Sequence, residues 1–118
     1  MEREVIRNIL LNLQFNINSK GFEYWTQAIL IYTTFDEQIK IAELYKQLDF
    51  EFMTTETRVE RAMRTASKQA YNNIHKYFNY GGKITNSVIL KLFRFIMTDD
   101  DFRKMVDKEE WKMIEKKS

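Results

Sequence analysis

Apolar positions recur at steps of three and four through most of the chain, the spacing of amphipathic helices. Val5, Ile6, Ile9, Leu10 and Leu13 share one stripe and predict a first helix over residues 2–14. The polar stretch 15–21, ending at Gly21, breaks it. Residues 22–33 predict a second helix in which Tyr24, Trp25, Ala28, Ile29, Leu30, Ile31 and Tyr32 cover most sides. A helix apolar nearly all round belongs at the centre of a core. Thr34 or Asp36 is placed to cap a third, with Ile39, Ile41, Ala42, Leu44 and Tyr45 as its apolar positions. A short helical segment follows over 46–51. Phe52, Met53, Thr54 and Thr55 then lead into a helix over about 56–77. Thr54 or Thr55 is its N-cap, and Glu56 puts negative charge in its first turn. Beyond Gly81 and Gly82, Thr85 or Asn86 caps a helix that buries Val88, Ile89, Leu92, Phe93, Ile96 and Met97. Asp99, Asp100 and Asp101 favour the start of a last helix, to about residue 116, with Phe102, Met105, Val106 and Met113 inward.

Composition narrows the fold. The chain has no proline and only three glycines, too few turn residues for an all-β domain. The expected class is all-α, a compact single domain of six to seven helices containing a helix-turn-helix at about 44–73. At 118 residues it is long enough to bury a core without staples, since domains of this size bury well over ~60% of the surface their unfolded chains expose. Cysteine is absent, which excludes disulfides, thiolate chemistry and Cys-ligated metals. No apolar run approaches the ~18 residues of a membrane span, and residues 1–8 lack the apolar core of a signal peptide. A cytoplasmic protein with no membrane partner is expected.

Charge is unevenly placed. Residues 1–53 carry five Lys/Arg against eight Asp/Glu, and residues 99–118 six against seven. Residues 54–98 carry eight against two. A basic middle segment between neutral-to-acidic ones is the sequence pattern of a focused polyanion-binding surface. Lysines solvating ordinary helix faces give the same count.

Within that segment, residues 54–73 are the informative part. Val59, Ala62, Met63, Ala66 and Ala70 form one narrow apolar stripe, and its small alanines permit close packing. Arg58, Arg61, Thr65, Lys68 and Asn72 step along the other side, flanked by Glu60 and Arg64. A slim inner face and a cationic, hydrogen-bonding outer face suit a helix that enters the DNA major groove, which is about 12 Å wide. Arg pairs there with guanine O6 and N7, and Glu accepts from cytosine N4. Threonines at the helix N-terminus hold phosphate and fix register. An amphipathic surface helix with Glu60 and Arg64 as an i,i+4 pair is the simpler reading of the same residues.

Residues 44–71, LYKQLDFEFMTTETRVERAMRTASKQAY, resemble the C-terminal DNA-binding domain of the stage zero sporulation protein A response regulators. The specific part is TT-x-x-RVERA-x-R; weaker matches, in the same order, are Lys20-Gly21-Phe22 with Ala28-Ile29, and Thr85-Asn86-Ser87. The resemblance covers roughly residues 5–97. It implies a six-helix fold that binds tandem copies of a short double-stranded DNA box and regulates transcription. Carried over by position, base contacts fall on Glu60, Arg61 and Arg64, and phosphate contacts on Thr54, Thr55, Thr57 and Arg58. On the outer face, Thr65 joins the base-contacting set and Lys68 the phosphate-contacting one. The resemblance also implies homodimers on tandem sites through residues 85–97, and a contact between the third-helix face and the RNA polymerase sigma subunit. The departures are specific. Relatives carry a phosphorylatable receiver domain ahead of this one, and a stand-alone domain without it is expected here. Thr65 replaces a His and Lys46 a Pro, the connector before Lys83 is shorter, and the tail from Asp99 runs past the family's usual end.

Nothing in the sequence assembles a catalytic site, and neither a metal nor a cofactor is expected. His75 is the lone histidine and reads as a surface or packing residue. Asp99–Asp101 lack the spacing of a calcium loop, and Gly81-Gly82 is no phosphate loop. The aromatics Phe22, Tyr24, Trp25 and Tyr32 read as core. Two functions remain open: a sequence-specific DNA-binding transcription regulator, and a non-catalytic module that binds the sigma subunit or a full-length relative.

Overall fold

The polar residues after the first stripe close a turn on themselves. α1 (Glu2–Asn12) stops where Gln14 turns left-handed, at φ 69°, and the Phe15 N–H reaches back to the Leu10 carbonyl at 3.0 Å. Asn16 Oδ1 accepts from the Asn18 N–H (3.0 Å), and the Ser19 hydroxyl donates to the Asn16 carbonyl (2.9 Å). Short polar side chains favour such turns because they replace backbone partners. The turn launches α2 (Lys20–Thr34) two residues before the expected start at 22, and the Phe22 N–H donates to the Ser19 carbonyl.

The remaining elements are α3 (Ile41–Phe52), α4 (Glu56–Lys68), α5 (Tyr71–Phe78) and α6 (Asn86–Thr98). The computed structural model describes residues 2–34, 39–78 and 81–98, and every regular element among them is helical. The all-α class with a helix-turn-helix is what the apolar periodicity predicts. None of these helices is long and apolar enough to cross a membrane. The last helix expected from Asp99 lies outside the described residues.

Three further boundaries differ from expectation by more than a residue or two, or in what sets them. The third helix begins at Ile41 with Lys40 as an N-cap lacking a side-chain bond. Thr34 does not cap it; its hydroxyl donates back to the Leu30 carbonyl and ends α2, while Asp36 is outside the described residues. The separate segment expected over 46–51 is continuous with this helix, because Leu44 and Leu48 are both fully buried on one stripe. Ala42, expected inward, is exposed. The long helix expected over 56–77 is divided at Gln69 and Ala70. The Ser67 hydroxyl donates to the Arg64 carbonyl (3.0 Å), and the Ala70 N–H bonds the Ser67 carbonyl (2.9 Å), tightening the last turn.

α2 is the hub: it packs against α1, α3, α4 and α6. Its contact with α4 depends on Gly21, where a Cβ would stand 2.1 Å from the Ala62 carbonyl oxygen and 2.7 Å from Ala66 Cβ. No other residue fits that approach without displacing backbone. One turn on, the fully buried Trp25 donates its Nε1–H to the Met63 carbonyl at 2.7 Å. Phe15 meets the Trp25 ring edge-on at 5.7 Å between centroids. Phe22, Tyr24 and Tyr32 are buried as well, in keeping with their reading as core. Arg94 Nη2 donates to the Tyr32 carbonyl (2.8 Å) and ties α6 to the far end of α2.

Candidate nucleic-acid interface

The connector between α3 and α4 is set by backbone geometry and one hydroxyl. Met53 ends α3 in a left-handed conformation (φ 51°, ψ 51°), its N–H bonded to the Asp49 carbonyl; the Thr54 N–H reaches the same oxygen at 3.1 Å. A left-handed residue at this position is the common way to stop a helix, although glycine usually fills it. Thr55 then turns extended, and its Oγ1 accepts from the Arg58 N–H at 3.2 Å. Of the two expected caps, Thr55 is therefore the one used. Thr54 is half-buried beside it.

α4 divides as its sequence predicts. Val59, Met63 and Ala66 are buried, Ala62 is half-buried, and Ala70 is buried just past the helix end. Thr57, Arg58, Arg61, Arg64, Thr65 and Lys68 are exposed. By helical geometry, Arg61 lies near the middle of the outer face, Arg58 and Thr65 on one flank, Glu60 and Arg64 on the other. The flanks differ. Arg64 Nη1 sits 3.1 Å from Glu60 Oε1, with side chains about half (51%) and one-third (34%) exposed. Asn72, expected on the same face, is exposed on α5 instead, beyond the break.

Behind the Glu60 and Arg64 flank stands a polar layer that local sequence reading does not reveal. Asn86, the first residue of α6, turns its side chain inward and is 7% exposed. Its Nδ2 donates to Tyr45 Oη at 3.0 Å and lies 3.4 Å from the Glu60 carbonyl. The capping role considered for Asn86 falls to Thr85, whose Oγ1 accepts from the Val88 N–H (3.3 Å). The Tyr45 hydroxyl has its pKa raised, chiefly because burial disfavours the phenolate. The Asn86 hydrogen bond acts against this, the Glu60 carboxylate adds to it, and the Arg64 charge opposes it. Tyr45 and Asn86 are 41 residues apart, so no periodicity could have paired them.

No group of three or more metal-ligating side chains occurs among the described residues. His75 is exposed on α5. A family model described as Sporulation initiation factor Spo0A C terminal matches residues 6–94. No curated protein and no solved structure matches the chain.

Proposed function

This chain belongs to the Sporulation initiation factor Spo0A C-terminal family, and on that premise we propose that α4 enters the major groove of duplex DNA and reads base edges. The family is one of DNA-binding effector domains of sporulation regulators, not a catalytic one. The observation that carries the finer reading is the geometry of α4: an exposed face of Arg58, Arg61, Arg64, Thr65 and Lys68 on a helix held close to α2 by Gly21.

Each side chain takes the part its position allows. Arg61, central on the outer face, forms two hydrogen bonds to guanine O6 and N7, worth roughly 1–3 kcal/mol of discrimination. Arg64 reads a neighbouring base while Glu60 fixes its guanidinium or accepts from a cytosine N4. Thr65 offers its methyl and hydroxyl to the base on the opposite flank. Thr54, Thr55, Thr57 and Arg58 gather phosphate at the helix N-terminus, and Lys68 meets the backbone at the other end. The Thr55 hydroxyl accepts from Arg58 N–H and still has its own hydrogen to donate. The same proposal includes tandem copies associating through α6, a sigma-subunit contact on the α3 face, and a cytoplasmic location.

The test is binding to a family-type DNA box and to a scrambled duplex at two salt concentrations. Preference for the box that persists as salt rises is expected, because base contacts release few counterions. Equal affinity for both duplexes overturns groove reading. A second reading, a protein-interaction module that binds the sigma subunit or a relative, has its own observation. Phe50 and Met53, at the end of α3, are 84% and 92% exposed. That reading predicts sigma binding that survives loss of the α4 arginines.

A further inference from the structure

Two contacts from α2 hold the buried side of α4. Gly21 brings α2 against the Ala62 carbonyl and Ala66, and Trp25 donates to the Met63 carbonyl. Ala62, Met63 and Ala66 lie along one stripe of the helix. A helix gripped only along that stripe can still roll about its own axis. Side-chain tips stand about 5–6 Å from the axis, so a roll of roughly 10° carries them about 1 Å. Binding constellations have to be held within about 0.5 Å. Reading base edges with α4 therefore calls for a further hold, placed off the stripe.

Asn86 supplies one. Glu60 follows the buried Val59 and so stands roughly 100° further round the helix, between its inner and outer faces. The Glu60 carbonyl accepts the Arg64 N–H within α4 and keeps a second lone pair, towards which Asn86 Nδ2 donates at 3.4 Å. The same Nδ2 donates to Tyr45 Oη at 3.0 Å. One amide thus joins α3, α4 and α6. Turning it over would set Oδ1 against the Glu60 carbonyl, an acceptor facing an acceptor, which fixes its orientation. Asn86 is buried, and a hydrogen bond out of water is electrostatically stronger than one in it. The cap of α6 is Thr85, so the Asn86 side chain is left to this inward role. Tyr45, Glu60, Arg64 and Asn86 line a common cleft, which sets the polar layer directly behind the charged flank.

We propose that Asn86 is a positioning residue for base recognition: by tying the Glu60 carbonyl to Tyr45 it sets the roll of α4, and so which base edges Arg61 and Arg64 meet. The inference rests on groove reading by α4. Asn86 touches no base and acts through the Glu60 backbone. Its loss costs specificity more than affinity at large, because long cationic side chains follow a phosphate through a shift of about 1 Å, whereas two parallel bonds to one base edge do not. Tyr45 and Asn86 work as one hold, so the effects of removing them are not additive.

The test uses the full chain and four variants: Asn86→Ala, Asn86→Asp, Tyr45→Phe, and Tyr45→Phe combined with Asn86→Ala. Asn86→Asp is nearly isosteric and turns the donor facing Glu60 into an acceptor, while its charge suits a helix start. It keeps the test open if the Ala variant folds poorly. Affinities for the family-type box and the scrambled duplex are compared as a ratio, from which any unfolded fraction cancels. Without DNA, N–H residual dipolar couplings report the orientation of α4 relative to α2. In Asn86→Ala the ratio should fall about tenfold, the discrimination of roughly one base-reading pair. Affinity for the scrambled duplex should stay within about twofold, and the α4 couplings should change against those of α2. Tyr45→Phe should lower the ratio less, about threefold, and the combined variant should be no worse than Asn86→Ala alone. Fully additive losses would overturn the tie through Tyr45. A wild-type preference for the box that both Asn86 variants retain overturns the positioning role and leaves groove reading intact. A lowered ratio with unmoved α4 couplings also overturns it, since the effect then does not pass through the helix. A wild type that binds both duplexes equally overturns groove reading and, with it, the role of Asn86.

Discussion

Nine of the fifteen residues of α2 are buried, against four of the thirteen of α4, although the two helices pack against each other. The first is hydrophobic on nearly every side and meets four other helices. The second touches the core along one stripe and leaves its arginines to solvent. The contrast shows how a small domain can present a helix. A helix that leaves a broad polar face to solvent cannot bury much of its own surface, so its position has to be held by a neighbour. Here that neighbour supplies a glycine, which brings the axes close, and an indole N–H, which grips the Met63 carbonyl.

The strongest way to break this arrangement is Gly21→Val. The added carbons would meet the Ala62 carbonyl well inside contact distance, and a loss of about 3 kcal/mol or more is expected from overpacking against backbone. Urea denaturation checks this, and an unchanged midpoint would mean that α2 and α4 can separate freely. Trp25→Phe sharpens the same contact. It keeps most of the ring and removes the donor to Met63, so stability should fall by about 2 kcal/mol. Arg61→Ala probes the other side of the comparison. Stability should stay within about 0.5 kcal/mol, as for exposed residues, while affinity for the specific box falls roughly tenfold. Equal losses on specific and scrambled DNA would reduce Arg61 to a phosphate contact. The smallest effect is expected for Thr55→Ala, about 1 kcal/mol of stability from the lost N-cap, measured by the same denaturation experiment.

The ease with which each part could be read from sequence follows the same division. The stripe of α4 and its cationic face were legible because both are local: residues three and four apart lie together on any helix. The capped start at Thr55 was legible to within one residue for the same reason. The break at Gln69–Ala70 was not, since it depends on whether the Ser67 hydroxyl bonds the Arg64 carbonyl or solvent. The single α3 was missed because Leu44 and Leu48 look like the end of one segment and the start of another until both are seen to be buried. As for the proposed site, the exposed face of Arg58, Arg61 and Thr65 could be listed from spacing alone. The pairing of Arg64 with Glu60 was one of two readings of that spacing, and the layer of Tyr45 and Asn86 behind them gave no local signal.

By itself, then, the chain's pattern of apolar, basic and breaker residues determined an all-helical domain with one cationic helix, because helix periodicity and charge are properties of neighbours in sequence. Only the tertiary structure decided that Gly21 lies under Ala62, that Trp25 bonds Met63, and that Asn86 turns inward to Tyr45 and Glu60. Those contacts join residues 26 to 41 positions apart. Their existence depends on how whole helices cross, which is set by packing volume and not by any local preference.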